Sequence, residues 1–194
     1  MRVYVVRHGE SETNTKDLWS GWLDISLTEK GRDDAKAARK YLEGISFDKI
    51  YSSDLKRACE TCEVILPGAN PECSSLLREI DIGSLAGTPR SAMTKEDRLE
   101  VSKNGYPSLG GETREEFRNR INRFKDELEG LEVDSVIVFS HAGWLRGFLD
   151  AVLGAHIPAG KIVCNNCAIG VFDYTDGAWR LQSWINPSDV YQLS

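Results

Sequence analysis

The chain has 194 residues, of which 41% are hydrophobic and 28% are charged, and this balance is typical of a globular protein with a sizeable core. The formal net charge of −6 and the sequence pI of about 5.2 argue against nucleic-acid and membrane partners, because anionic surfaces repel an acidic protein. No apolar run is long enough to span a bilayer, and no signal-peptide pattern follows Met1. We therefore expect one domain over residues 1–194 and a cytoplasmic location.

The five cysteines are odd in number, which favours reduced thiols over a disulfide framework. Two pairs have the C-x-x-C spacing of zinc sites, Cys59 with Cys62 and Cys164 with Cys167. About a hundred residues separate these pairs, whereas ~15–20 residues are typical of such sites. Cys59 and Cys62 also lie on the apolar stripe of a predicted helix, so we interpret them as small buried residues and expect no metal site and no cofactor.

Strand and helix patterns alternate along the chain, which predicts an α/β fold with a largely parallel sheet. The predicted strands lie at residues 2–6, 47–52, near Cys73, 135–140, 169–174 and 179–184. The first predicted helix starts at Thr28 and ends near Gly44, and the second starts at Ser53 or Asp54 and ends before Pro67. The third starts at the capping box of Thr113 and Glu116, and the fourth covers residues 143–153. Asp176-Gly177 predicts a hairpin turn, and residues 84–110 suggest only a charged insert with some helical character.

Polar side chains follow three predicted strands, at the point where each strand ends. They are Arg7 and His8, then Ser52 to Asp54 with Arg57 one helical turn later, and then His141. Gly9 is expected to let the backbone turn directly after His8. Ligands bind at the carboxyl ends of the strands in open α/β sheets, so we expect these side chains to lie together. Glu79 precedes a predicted turn at Gly83 and is expected to reach the same edge.

This set of side chains is suited to phosphoryl transfer. A neutral imidazole is a competent nucleophile at phosphorus. The planar forks of Arg7 and Arg57, together with a charged His141, would bind the oxygens of the transferred group. Asn14 would add an amide donor. The backbone N–H groups at the start of the helix after His141 would favour an anion. A carboxylic acid at Glu79 would give the leaving alkoxide its proton.

Six blocks of sequence, in order, resemble the histidine phosphatase superfamily, which has the phosphoglycerate mutase-like fold. The blocks are Arg7–Asn14, Gly21–Asp24 with Leu27–Gly31, Ser52–Ala58 with Thr61, Leu77–Gly83 (the acid loop), Gly110–Thr113 and Val138–Gly143. The resemblance implies a three-layer α/β/α arrangement with helices on both faces of the sheet. It also implies phosphoryl chemistry that needs no metal.

The resemblance assigns roles to the matching positions. His8 would be the phosphorylated nucleophile, and Glu79 would be the proton donor and then the base that activates water. Contacts to phosphate and substrate are implied for Arg7, Asn14, Gly21, Arg57, His141 and Ala142. Trp19 and Trp22 either line the substrate pocket or pack the first loop down, and the sequence leaves both interpretations open.

The length of the segment between the acid loop and the helix at Thr113 distinguishes two activities of this superfamily. The mutases carry a longer insert there, which covers the site and excludes water, whereas this chain has only residues 84–110 (the insert). We therefore expect a phosphomonoesterase for a small phosphorylated metabolite, monomeric or homodimeric. The alternative is a 2,3-bisphosphoglycerate-dependent phosphoglycerate mutase.

The substrate stays open among sugar phosphates, alpha-ribazole phosphate, phosphoserine and phosphoglycerates. Two functions from other classes fit the sequence less well. One is a zinc or redox protein built on the two C-x-x-C pairs. The other is a silent binding module, which would be expected to have lost one of the residues Arg7, His8, Arg57, Glu79 and His141.

Overall fold

The computed structural model describes residues 1–158 and 160–187, which are built around a six-stranded sheet. The strands are β1 (Arg2–Arg7), β2 (Lys49–Ser53), β3 (Glu72–Ser74), β4 (Ser135–Ser140), β5 (Ile169–Thr175) and β6 (Ala178–Ile185). Their spatial order is β3-β2-β4-β1-β5-β6. The first four strands are parallel to one another, β5 pairs antiparallel with β1, and β6 pairs antiparallel with β5. The predicted α/β fold with a largely parallel sheet is confirmed.

Helices lie in all of these connections except the turn between β5 and β6. In the described part of the chain they are α1 (Glu12–Thr15), α2 (Glu29–Arg39), α3 (Lys56–Ile65), α4 (Lys95–Asn104), α5 (Arg114–Glu129) and α6 (Ala142–Leu153). Thr28 and Thr113 cap α2 and α5 as predicted, because each hydroxyl accepts a hydrogen bond from a backbone N–H of the first turn. Among the described residues, no helix combines the length and apolar character needed to cross a bilayer.

The side-chain alternation of the strands divides the core between the two faces of the sheet. On one face, Val5 and Val138 pack in the cluster that contains the buried residues of α5 and α6. On the other face, Val6 and Phe139 pack with buried apolar residues of α2 and α3, which are Ala35, Ala38, Cys62 and Ile65. Helices therefore cover both faces, as expected for three layers.

One local prediction is wrong, and the need for glycine at position 9 has a different cause from the expected one. The cap predicted at Ser53 or Asp54 is instead Leu55, whose side chain makes no capping hydrogen bond. Gly9 has no positive φ, so a left-handed backbone conformation is not what requires glycine there. A Cβ at Gly9 would lie 2.4 Å from the carbonyl oxygen of Gly31, so glycine is needed there for a close approach of two backbones.

The register of the parallel strands aligns their carboxyl ends. Arg7 at the end of β1 pairs with Ser140 at the end of β4, and Ser52 of β2 pairs with Phe139. The residues that follow these three strands therefore emerge at one edge of the sheet, as the sequence predicts. We call this region the strand-end edge.

The C-terminal hairpin also follows its prediction. Asp176 and Gly177 connect β5 to β6 with φ angles of 54° and 74°. Positive φ at both central residues is what a type I′ turn requires, and the right-handed twist of the strands favours that turn.

Candidate active site

His8 lies at the carboxyl end of β1 with 5% of its surface exposed. Its Nδ1 donates a hydrogen bond to the carbonyl of Gly9 at 2.7 Å, since that oxygen can only accept, and this leaves the Nε2 lone pair free. Burial, and then the positive charges of Arg57 and Arg7, hold the pKa of the imidazole well below its ordinary value. The ring is therefore neutral, which is the state in which an imidazole acts as a nucleophile.

Two buried arginines lie beside this histidine. Arg57 of α3 is fully buried, and its Nη1 and Nη2 donate to the carbonyls of Leu23 at 2.7 Å and Gly21 at 2.8 Å. Arg7 donates from Nη1 to the carbonyl of Cys164. The Nε atoms of both arginines are buried and have no hydrogen-bond partner among the described residues. Backbone oxygens thus orient both guanidinium groups, and the N–H at each Nε remains available for a ligand.

His141 follows β4 directly, at the N-cap of α6, and is fully buried. Its Nε2 lies 2.9 Å from Ser53 Oγ, its Nδ1 has no partner in the described ranges, and its ring centroid lies 5.2 Å from that of His8. Burial, and then the charge of Arg57, hold its pKa well below the ordinary value, so the charged His141 predicted from sequence is not the state of the free protein. A bound phosphoryl dianion would favour protonation, because an opposite charge stabilises the charged imidazole.

Glu79 follows β3 and reaches the first turn of α6. Its Oε1 accepts a hydrogen bond from the N–H of Ile80 at 3.0 Å, and its Oε2 accepts from the N–H of Gly143 at 2.9 Å. A Cβ at Gly143 would lie 2.1 Å from Oε1, so the carboxyl fits only beside a glycine. Burial lowers the pKa of Arg57 to about 10, and the negative charge of Glu79 is the main influence that opposes this. The carboxyl therefore lies close to the arginines.

The other predicted contact residues lie around the same edge. Asn14 accepts a hydrogen bond at Oδ1 from the N–H of Ser11 at 3.0 Å, and its amide nitrogen has no partner in the described part of the chain. Gly21 contributes its carbonyl to an arginine fork, as described above. Ala142 is the first residue of α6, so its N–H belongs to the helix N-terminus, which favours anions.

Asn166 is a residue of the site that the sequence does not reveal. Its Nδ2 donates to the carbonyl of His8 at 3.1 Å, which joins the loop before β5 to the end of β1. Thr61 joins α3 to the same segment, because its Oγ1 accepts a hydrogen bond from the N–H of Gly9 at 3.0 Å. Thr61 lies in a recognisable block, but no local pattern marks Asn166.

The two tryptophans of the first loop pack that loop against other loops. Trp22 donates from Nε1 to the carbonyl of Glu79 at 2.7 Å, and the guanidinium of Arg78 lies 4.7 Å from its ring centroid. Trp19 contacts the insert, since the guanidinium of Arg90 lies 5.1 Å from its ring centroid. Of the two interpretations left open by the sequence, the contacts of Trp22 fit the packing one.

The cysteines are free thiols, and most of them are buried. Burial raises the pKa of Cys62 and that of Cys167 to about 12, so neither is a ready thiolate. Within residues 1–158 and 160–187, no three side chains of His, Cys, Asp or Glu are grouped so as to hold a metal ion. The three buried thiols, Cys62, Cys164 and Cys167, pack as small apolar residues of the core.

Comparison with known proteins agrees with this geometry. Residues 3–187 match the histidine phosphatase superfamily (branch 1). A 2,3-bisphosphoglycerate-dependent phosphoglycerate mutase from Brucella melitensis is 34% identical over an alignment 165 residues long, which covers 77% of this chain and 80% of that protein.

Two solved structures extend the likeness to almost the whole chain. A phosphoglycerate mutase from Thermus thermophilus has a TM-score of 0.75 at 30% identity, covering 96% of this chain and 99% of its own. A candidate alpha-ribazole-5'-P phosphatase from Escherichia coli has a TM-score of 0.84 at 25% identity, covering 96% and 97%. The resemblance of the six sequence blocks is confirmed, and the chain belongs to the histidine phosphatase superfamily, branch 1.

Proposed function

We propose that the chain is a phosphomonoesterase that hydrolyses a small phosphorylated metabolite through a phosphohistidine on His8, with no metal or cofactor. One observation carries this proposal. In the described part of the chain, four buried side-chain donors have no partner, and three of them, Arg7 Nε, Arg57 Nε and His141 Nδ1, lie near a neutral imidazole with a free Nε2. Buried polar atoms without partners are rare in folded proteins, and a tetrahedral anion would satisfy all three.

In the first step, the Nε2 lone pair of His8 attacks phosphorus and the ester P–O bond breaks. The leaving oxygen takes the proton of the Glu79 carboxyl. Arg7 and Arg57 hold the equatorial oxygens, over which the negative charge spreads. The hydrogen bond from Nδ1 to the carbonyl of Gly9 stabilises the positive charge that develops on the ring.

In the second step, water takes the place of the departed alcohol. The Glu79 carboxylate accepts a proton from that water, the water oxygen attacks phosphorus, and the bond from phosphorus to His8 Nε2 breaks. Inorganic phosphate leaves, and both residues return to their starting states. Glu79 is suited to both steps because its carboxyl is oriented by two backbone N–H groups.

The insert favours water as the acceptor of the phosphoryl group. None of the residues of α4 is buried, and Leu99 exposes 57% of its surface. Arg90 and Arg98 lie over the ring of Trp19 and donate to backbone carbonyls. A thin cover of this kind does not exclude water, so the phosphohistidine would be hydrolysed.

Phosphoglycerate mutase is the second candidate, because the Brucella relative that carries this name is 34% identical to the chain. The aligned region covers similar shares of the two proteins, 77% and 80%, so their lengths are close. Insert length alone therefore does not separate the two activities for this chain. A mutase would return the phosphoryl group from His8 to a second oxygen of the substrate instead of to water.

The test is phosphate release from a panel of phosphomonoesters in excess EDTA, with His8→Ala and the exposed control His156→Ala measured beside the wild type. We expect release that survives EDTA, is lost in His8→Ala and is kept in His156→Ala. The panel includes 3-phosphoglycerate, for which NMR separates isomerisation from hydrolysis. Isomerisation without release would favour the mutase, and neither reaction on any compound would contradict both candidates.

A further inference from the structure

A largely buried ion pair lies next to the acid loop. Arg120 of α5 is 11% exposed at its side chain, and the facing carboxylate of Glu112 is 15% exposed. Arg120 Nε donates to Glu112 Oε1 and Nη2 donates to Oε2, both at 2.8 Å. This bidentate pairing fixes the plane of the guanidinium, so its other N–H groups point in fixed directions.

Those other N–H groups bind the backbone of the acid loop and of the residue before it. The acceptors are the carbonyls of Leu76 and Arg78, each 2.8 Å from Nη1, and the carbonyl of Glu79, 3.0 Å from Nη2. On the other side of Glu79, the Oε2 of Glu112 accepts from the N–H of Asp81 at 2.8 Å. All five N–H groups of Arg120 are therefore used, and the pair holds the backbone both before and after the acid.

The acid loop depends on such outside contacts because it has little regular structure. Residues 79–82 belong to no helix or strand. A displacement of ~1 Å in a catalytic group costs up to ~10²-fold in rate. A backbone held at four points by one ion pair limits that displacement.

We propose that Arg120, oriented by Glu112, is a positioning residue that keeps the Glu79 carboxyl at the leaving oxygen. The inference rests on the phosphatase function proposed above and adds a residue that touches neither phosphate nor nucleophile. Loss of Arg120 should impair proton donation more than phosphate binding. Substrates with basic leaving groups should then suffer most.

Arg120 also carries a charge that acts on the site, and this effect has to be separated from positioning. Burial is the main cause of the lowered pKa of His141, and the charges of Arg57, His8 and Arg120 add to it. Arg120→Lys keeps the positive charge but loses the planar fork. Positioning therefore predicts that Arg120→Lys behaves like Arg120→Met.

The experiment compares kcat/KM for p-nitrophenyl phosphate and phenyl phosphate, which share a phosphoryl group and a ring but differ in leaving-group basicity. This parameter reports the first phosphoryl transfer, in which the acid acts. In Arg120→Met and Arg120→Lys we expect the ratio of the two values to rise roughly tenfold in favour of the nitrophenyl ester. In a Glu79→Gln background, Arg120→Met should not change the ratio further. A ratio does not depend on how much of the variant is folded.

The matched control is Arg123→Met, on the same helix, whose side chain is 73% exposed and pairs only with Glu127 among the described residues. We expect it to leave the ratio unchanged. Equal losses on both esters in the Arg120 variants, or a normal ratio in Arg120→Lys, would overturn the positioning role. A wild type inactive on both esters would instead contradict the proposed function itself.

Discussion

The strand-end edge and helix α4 of the insert are two regions with opposite packing. At the edge, Arg57 and His141 are fully buried, and each is oriented by a hydrogen bond to a fixed neighbour. In the insert, α4 buries no residue and Leu99 is largely exposed. We infer that the rigid edge carries the phosphoryl chemistry and that the exposed insert adapts it to a substrate.

The largest effect should come from removing a buried cation of the edge. Arg57→Met loses a fully buried phosphate donor, so kcat/KM should fall by about 10³-fold. Steady-state phosphate release measures this change. Arg39→Met, an exposed arginine of α2, is the control and should have wild-type activity. Activity of Arg57→Met within tenfold of wild type would contradict the role of the edge.

Acid should weaken the fold through the buried histidines. The pKa values of His8 and His141 are lowered in the folded protein, whereas unfolded histidine titrates near 6.5, at about its ordinary value. Below that pH the unfolded state binds up to two more protons, so the free energy of unfolding should fall by up to about 2.7 kcal/mol per pH unit. Above it, this contribution to stability is fully present.

Urea unfolding at a series of pH values measures this slope. His8→Asn removes one of the two titrating rings, so it should reduce the histidine part of the slope by about half. A wild-type stability that stays level between neutral and mildly acidic pH would show that the two rings are not held neutral.

Gly143→Ala should displace the proton donor without removing it. The added Cβ would overlap Glu79 Oε1, so the carboxyl must move and kcat/KM should fall by about 10- to 10²-fold. In a Glu79→Ala background there is no carboxyl to displace, so the same change should have little further effect. Equal losses in the two backgrounds would mean that the alanine acts on α6 instead.

The smallest effect should come from the insert. Leu99→Ala removes an exposed side chain of α4, so the free energy of unfolding should change by no more than about 0.5 kcal/mol. The matched change Leu128→Ala, at a residue 1% exposed on α5, should cost about 2–5 kcal/mol. Chemical denaturation measures both. A loss above about 1 kcal/mol for Leu99→Ala would remove the contrast between the two regions.

The sequence predicts best where local patterns decide the structure. Residues 135–140 are predicted as a strand and form β4, because a continuous apolar run is bounded by polar residues. The predicted start of α3 is misplaced, because Asp54 pairs with Arg78, a partner 24 residues away that no local pattern indicates.

The residues of the candidate site also fall into two groups, those that local patterns identify and those that only long-range contacts reveal. The sequence identifies Arg7, His8 and His141 because chemistry-bearing residues follow strands, and because the family blocks contain them. It does not identify Asn166 and Arg120, since each contacts backbone carbonyls that lie 158 and about 41 to 45 residues away in sequence. Backbone carbonyls have no sequence signature, so such contacts appear only in the folded chain.

The most direct test of the account is to trap the phosphorylated protein by rapid acid-free quenching after mixing with a radiolabelled phosphomonoester. We predict label on Nε2 of His8 that passes into inorganic phosphate on a chase, and no label in His8→Asn. Label on another residue, or phosphate release from His8→Asn at the wild-type rate, would contradict the phosphohistidine mechanism.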